Sequence, residues 1–206
     1  MLRAVSLFLL ISLNSAAQDW VPVPLTDVRV RTLIDGLAAM KSIQGDMTQT
    51  KTFSFMTKPL VSTGQFRYAT GDRLRWEFVK PSAYCILIDG QKVRLKENGS
   101  EKDLRSVDRV MRQVKEVIIG CINGSIISDP AYKAVAAGKG NELRISMQPK
   151  DKRMRELIAG IEIIFGPTAK DLRSVRLTDP SGDTTLVTFQ SVRINESIAD
   201  RTFTDF

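Results

Sequence analysis

Gly64-Gln65-Phe66-Arg67-Tyr68, Arg73-Leu74-Arg75-Trp76-Glu77-Phe78 and Tyr84-Cys85-Ile86-Leu87-Ile88 follow one another closely, and all three alternate. One parity supplies Phe66, Tyr68, Leu74, Trp76, Phe78, Tyr84, Ile86 and Ile88, while the other supplies Arg67, Arg73, Arg75 and Glu77. A period of two belongs to strands, whose successive side chains point to opposite faces. The stretch therefore predicts three neighbouring strands with one apolar, aromatic face and one charged face. Asp89-Gly90 and Asn98-Gly99, just downstream, are two-residue hairpin signals, so the strands they join are adjacent and antiparallel.

The same pattern extends in both directions. Upstream, Met47, Gln49, Lys51 and Phe53 alternate with Asp46, Thr48, Thr50 and Thr52. Downstream come Lys92 to Glu97, Ser100 to Arg105, Tyr132 to Ala137, Glu142 to Gln148, Gly160 to Gly166, Leu172 to Thr178 and Thr184 to Arg193. Eleven strand candidates result, with no linker to divide them, and they predict one antiparallel sheet. Two segments keep helical spacing instead. Thr26 and Asp27 open the first, with Val30, Leu33, Ile34, Leu37 and Met40 on one face. Ser106 caps the second, in which Val107, Val110, Met111, Val114, Val117, Ile118 and Cys121 form a stripe opposite Arg109, Arg112, Lys115 and Glu116. A short basic helix is expected between Lys150 and Ala159.

Composition narrows the chemistry. The 206 residues include no histidine, which removes Ser-His-Asp triads, Cys-His dyads and imidazole metal ligands. Asp46, Glu77, Asp89 and Glu97 are available for a glycosidase-type pair, but nothing in the sequence brings two of them to one site, and Asp89 already serves a turn. The reading is a protein that is not an enzyme and carries no cofactor or metal.

The net charge is +7, from 30 basic and 23 acidic residues. Met1 to Arg3, the apolar run Ala4 to Leu13 and the small residues Ser15-Ala16-Ala17 form an export leader, 1–17, cleaved before Gln18. The apolar run falls well short of the ~20 residues that cross a bilayer. Residues 18–206 then make a single domain, expected to be soluble in the periplasm. Nucleic acid is not a partner there; the surplus of positive charge suits a phospholipid surface, an acidic receptor or an anionic cargo. Lys150, Lys152, Arg153 and Arg155 are the candidate docking residues for an acidic partner. Cys85 and Cys121 either pair in that oxidising compartment or remain two buried apolar thiols, and the sequence leaves both open.

A sheet of this length must curl, and something must fill its concave side. Side chains and the two helices can close it as ordinary core, or a lined cavity can remain for an apolar ligand. Alternation satisfies both.

The opening residues, with Lys80-Pro81 and Leu87-Ile88-Asp89-Gly90-Gln91-Lys92-Val93, resemble the LolA family of periplasmic lipoprotein carriers. The likeness continues through Met47-Thr48-Gln49, Asp179-Pro180-Ser181-Gly182, Asn195-Glu196-Ser197-Ile198 and Asp200-Arg201-Thr202-Phe203, and covers the chain from Thr26 to Phe203. It implies an α+β fold: an incomplete, half-open antiparallel β-barrel of about eleven strands covered by a lid of α-helices. It also implies a monomeric chaperone whose apolar cavity shields lipoprotein acyl chains, or other lipid. The load passes from an inner-membrane ABC-type releasing complex to an outer-membrane receptor. Each CH₂ kept from water is worth ~0.8 kcal/mol, so an acylated protein needs such an escort across an aqueous space.

The cavity residues that this resemblance and the apolar parity select are Met47, Phe66, Tyr68, Leu74, Trp76 and Phe78 on the first strands. Ile86 and Ile88 follow on the next, with Val110, Met111 and Val114 on the second helix. In the family's best-known carriers an arginine after the strand equivalent to Phe66–Ala69 bonds lid carbonyls and holds the empty cavity shut. Thr70-Gly71 stands there instead, which leaves Arg73 or Arg75 as substitutes. A periplasmic sensor or regulatory protein of the same fold, which binds lipid or lipoprotein and a membrane protein's periplasmic segment, and a β-sheet adaptor with a filled core and no ligand, are the other classes the sequence admits.

Overall fold

In the computed structural model, residues 19–105, 108–168 and 170–206 are described, with backbone alone for 108–111. The leader and the Ser106 cap lie outside the described residues. The alternating segments pair into one open antiparallel sheet of twelve strands. They are β1 (Val21–Val23), β2 (Ser42–Thr52), β3 (Leu60–Ala69), β4 (Arg73–Lys80), β5 (Tyr84–Asp89) and β6 (Lys92–Glu97). Then come β7 (Ser100–Glu101), β8 (Tyr132–Lys139), β9 (Glu142–Pro149), β10 (Gly160–Phe165), β11 (Leu172–Thr178) and β12 (Thr184–Ile194). The spatial order is β1-β8-β9-β10-β11-β12-β2-β3-β4-β5-β6-β7.

The count is twelve rather than eleven because β1 was not visible as a strand. Three residues with Pro22 at the centre read as an entry loop, but β1 is an edge strand, where proline is tolerated, and Pro22 sits opposite Ala137. At the other edge, the strand expected over Ser100 to Arg105 shortens to two residues. In the chain, α2 (Asp108–Asn123) lies between the β7 edge and β8, the inner neighbour of the β1 edge, so this helix links the two sides that the open sheet leaves apart.

The first helix, α1 (Val28–Ala38), starts as its sequence requires: the Asp27 carboxylate accepts the Arg29 backbone N–H at 2.8 Å. Val30, Leu33 and Leu37, with Met40 just beyond, are buried against the sheet. α2 ends at Gly124, whose φ of +76° is open to glycine; a Cβ there would stand 2.7 Å from Leu37 Cδ1, so the glycine also lets the helix end settle on α1. Short helices follow at α3 (Lys152–Arg155) and α4 (Arg201–Thr204).

Lys115 departs from its expected place. Assigned to the solvent face of α2, its side chain is 1% exposed, and its ammonium reaches Asp72 Oδ2 and Gly90 O, both at 3.3 Å. A four-carbon stem lets a lysine cover apolar surface while its charge finds partners at the edge. Those partners belong to the turns β3–β4 and β5–β6.

The charged parity of β4–β6 is not left to water either. Arg75 Nη1 donates to Asp205 O and Arg94 Nη1 to Thr204 O, each at 2.6 Å, and Arg73 Nη1 pairs with Asp200 Oδ1 at 2.6 Å. Phe203 is buried beneath this C-terminal strap, as are Cys85 and Leu87 of the same parity. Arg73 and Arg75 therefore anchor α4 on the outer face, and neither substitutes for a lid latch.

Candidate functional site

Inside the curl, part of the apolar face is packed and part is hollow. Phe66 is fully buried, with the Phe189 ring edge-on at 4.9 Å and Trp76 at 6.1 Å; Trp76 in turn meets Phe189 at 6.2 Å and Phe78 at 6.4 Å, both edge-on. Above Phe66, the Trp76, Phe78 and Phe189 rings border a cavity of about 510 Å³, within the ~300–1,000 Å³ usual for small-molecule sites. Val114, Val117, Ile118, Cys121 and Ile122 of α2 form its roof. Trp76, Phe78, Tyr84 and Ile86 line one wall; Val175 and Leu177 of β11 with Val187 and Phe189 of β12 line the other.

The polar lining lies toward one end. Gln49, Lys51, Ser62, Ser82, Glu97 and Thr185 all belong to the sheet end that carries the β2–β3, β4–β5, β6–β7 and β11–β12 connections, and Ile158 closes it from the chain before β10. Pro81 and Ser82 are exposed there, so this end is the mouth. Glu97 is held by Lys102 at 3.2 Å. Burial raises the Tyr84 phenol above its ordinary range, and the Glu97 charge adds to the effect.

The residues selected from sequence divide in two. Trp76, Phe78, Ile86 and Val114 line the cavity. Met47, Phe66, Tyr68, Leu74 and Ile88 share the same face but are packed into continuous core, toward the closed end that α1 and the Lys115 contacts cover. The side chains of Val110 and Met111 lie outside the described residues. Sequence reasoning left out the β11 and β12 wall, although Leu172–Thr178 and Thr184–Ile194 carry the same alternation; nothing local says that these strands face β4 across the hollow.

The four carboxylates do not converge. Glu77 is bound by Arg75 on the outer face, which holds its carboxyl below the usual range, and Asp46 accepts from Gln65. Asp89 stands exposed at the closed end and Glu97 at the mouth. Cys85 and Cys121 are free thiols on opposite sides of the sheet; burial pushes Cys121 up to about 12 and Cys85 up to about 11. Among the described residues no helix is long and apolar enough to cross a membrane, and no group of three or more His, Cys, Asp or Glu side chains is placed to hold a metal.

Residues 38–205 match the sequence family described as outer membrane lipoprotein carrier protein LolA. An outer-membrane lipoprotein carrier protein of Dechloromonas aromatica (strain RCB) is 24% identical over 186 residues, covering 84% of this chain and 81% of that one. Among solved structures, a LolA superfamily protein from Nitrosomonas europaea is similar at 8% identity, with a TM-score of 0.42 over 85% of this chain and 95% of that one. MucB in complex with MucA(peri) is similar at 11% identity, with a TM-score of 0.42 over 85% of this chain and 57% of that one.

Proposed function

Because the chain belongs to the LolA family, we propose that it is a periplasmic carrier that shields lipoprotein acyl chains in the cavity beneath α2. The load would travel from an inner-membrane ABC-type releasing complex to an outer-membrane receptor. The observation that carries this reading is the hollow itself: about 510 Å³ lined by Trp76, Phe78, Ile86, Val114, Val187 and their neighbours, where an adaptor would have closed core. Each methylene that enters gains ~0.8 kcal/mol over water. Gln49, Lys51 and Ser62 at the mouth meet the polar end of an acylated chain, which fixes its direction.

The role needs no bond to be made or broken. It needs a cavity that binds in water and releases to a more apolar recipient. A rigid sheet with a helix pinned by a few polar contacts meets that demand, because moving the helix lowers affinity while the floor stays intact.

Protein purified from its native host and extracted with organic solvent should release acyl species, and the stripped protein should bind a fluorescent fatty acid. Loaded with a lipoprotein, it should deliver to outer-membrane vesicles. Absence of both extracted lipid and probe binding would rule the carrier out; binding without delivery would favour a sensor of the same fold.

A further inference from the structure

The mouth of the cavity is surrounded by side chains that do not suit open water. The β2–β3 connection projects Phe55, 79% exposed, with its ring 5.3 Å from Phe53, and Met56 and Leu60 beside it are also exposed. At the same end of the sheet, the connection after α3 exposes Leu157. Lys58 in the same connection as Phe55, Lys152 and Arg153 on the helix before Leu157, and Lys80 at the end of β4 are all exposed, none with an ion-pair partner among the described residues. Of the acids at this end, Asp151 caps α3 by accepting from Met154 N–H, Asp183 accepts Ser54 N–H, Asp179 closes its own turn and Glu97 pairs with Lys102, while Glu156 at the end of α3 stands exposed and sets one negative charge against the four cations.

From this arrangement we infer that the rim is a docking surface for an anionic phospholipid bilayer. Phe55, Met56 and Leu157 enter the acyl region while Lys58, Lys80, Lys152 and Arg153 meet the headgroup phosphates. Apolar side chains at projecting tips fit a deformable surface; a protein partner with a rigid groove would need them on one contiguous face. A second copy of this chain is disfavoured, since two-fold pairing would set the same unpaired cations against each other. Anionic headgroups supply the complementary charge. Docked in this way, the cavity mouth faces the membrane that holds the releasing complex or the receptor, and an acyl chain is handed over there with little contact with water. The carrier reading gives the docking its purpose, but the surface stands on its own observations and is tested without cargo.

Flotation of the stripped protein with vesicles of equal parts phosphatidylglycerol and phosphatidylcholine should show binding that falls with added salt; vesicles of phosphatidylcholine alone should bind far less. Phe55→Glu with Met56→Glu should abolish flotation. Lys152→Gln with Arg153→Gln should weaken it roughly 25-fold, about fivefold for each cation near the surface. Fatty-acid probe binding should stay at the wild-type level in both double variants, which shows that fold and cavity survive. Failure of the wild-type protein to float, or equal flotation by the variants, overturns the assignment. So does concentration-dependent dimerisation that Phe55→Glu abolishes in the absence of vesicle binding. Loss of probe binding by the wild-type protein with flotation intact would count against the carrier reading and leave the docking surface standing.

Discussion

Lys115 Nζ on α2 lies 3.3 Å from Asp72 Oδ2 in the β3–β4 turn, so one buried ammonium pins the roof of the cavity to the sheet. The same ammonium donates to Gly90 O, and Asp72 holds a left-handed φ of 55° that presents its carboxylate to the helix. The helix thus supplies the cation, and the sheet supplies a carboxylate and a carbonyl.

Asp72→Asn keeps a residue type that tolerates left-handed backbone but removes the charge that ties Lys115 to the sheet, leaving Glu116 of its own helix, 3.2 Å away, as its remaining carboxylate. A charge-assisted hydrogen bond is worth about 1.5–3 kcal/mol, and the half-exposed position of Asp72 puts the loss at the lower end. Amide exchange along α2 should accelerate roughly tenfold while circular dichroism stays unchanged. Unaltered exchange would show that apolar packing alone holds the helix down.

Filling the hollow should separate binding from folding. Val187 lies opposite Gln49 in register and faces the void, so Val187→Phe adds volume where there is space for it. Fatty-acid affinity should fall roughly tenfold or more, with little change in Tm. Trp76→Glu, also on the lining, should likewise weaken binding. Ile88→Glu is a different experiment: Ile88 sits in closed core, and a buried carboxylate there should prevent folding rather than report on cargo.

Gly64 opens the Gly-x-Phe sequence for a steric reason. A Cβ at this position would stand 1.9 Å from Glu77 O and 2.8 Å from Phe78 Cα, at the irregularity where β4 crowds β3. Both atoms are backbone and cannot swing aside. Gly64→Ala should cost about 3 kcal/mol or more, read as a lowered urea midpoint. A midpoint within error of wild type would contradict the close approach.

The thiols give a pH signature. Each is held protonated by burial, with its pKa raised from 9.0 to about 11 for Cys85 and about 12 for Cys121. Below pH 9 both states of the chain are protonated and the cysteines add no pH dependence. Above it the unfolded chain ionises first, so stability falls as pH rises toward the folded values. The urea midpoint should decline between pH 9 and 11, less steeply in a Cys85→Ala, Cys121→Ala variant. At pH 8 the folded protein should react with thiol reagents only slowly, and a bound fatty acid should slow Cys121 further, since that residue lines the cavity.

Period-two alternation from Phe66 to Ile88, the Asp89-Gly90 and Asn98-Gly99 turns and the stripe on α1 were enough to predict one antiparallel sheet with helices on its apolar side. These are local signals, because a strand's two faces and a hairpin's register are set by neighbouring residues. Membership of an apolar face says nothing about depth along the strand. Phe66 and Trp76 share a parity, yet one is sealed in core and the other borders space. That difference depends on where β11 and β12 arrive across the curl and on where α2 is pinned, and those contacts join residues far apart in the chain. Lys115 is the sharpest case: on its own helix it belongs with the polar residues beside Glu116, whose carboxylate lies 3.2 Å from its ammonium, and its burial is decided by the approach of Asp72 and Gly90, because a desolvated charge is tolerated where it keeps enough partners.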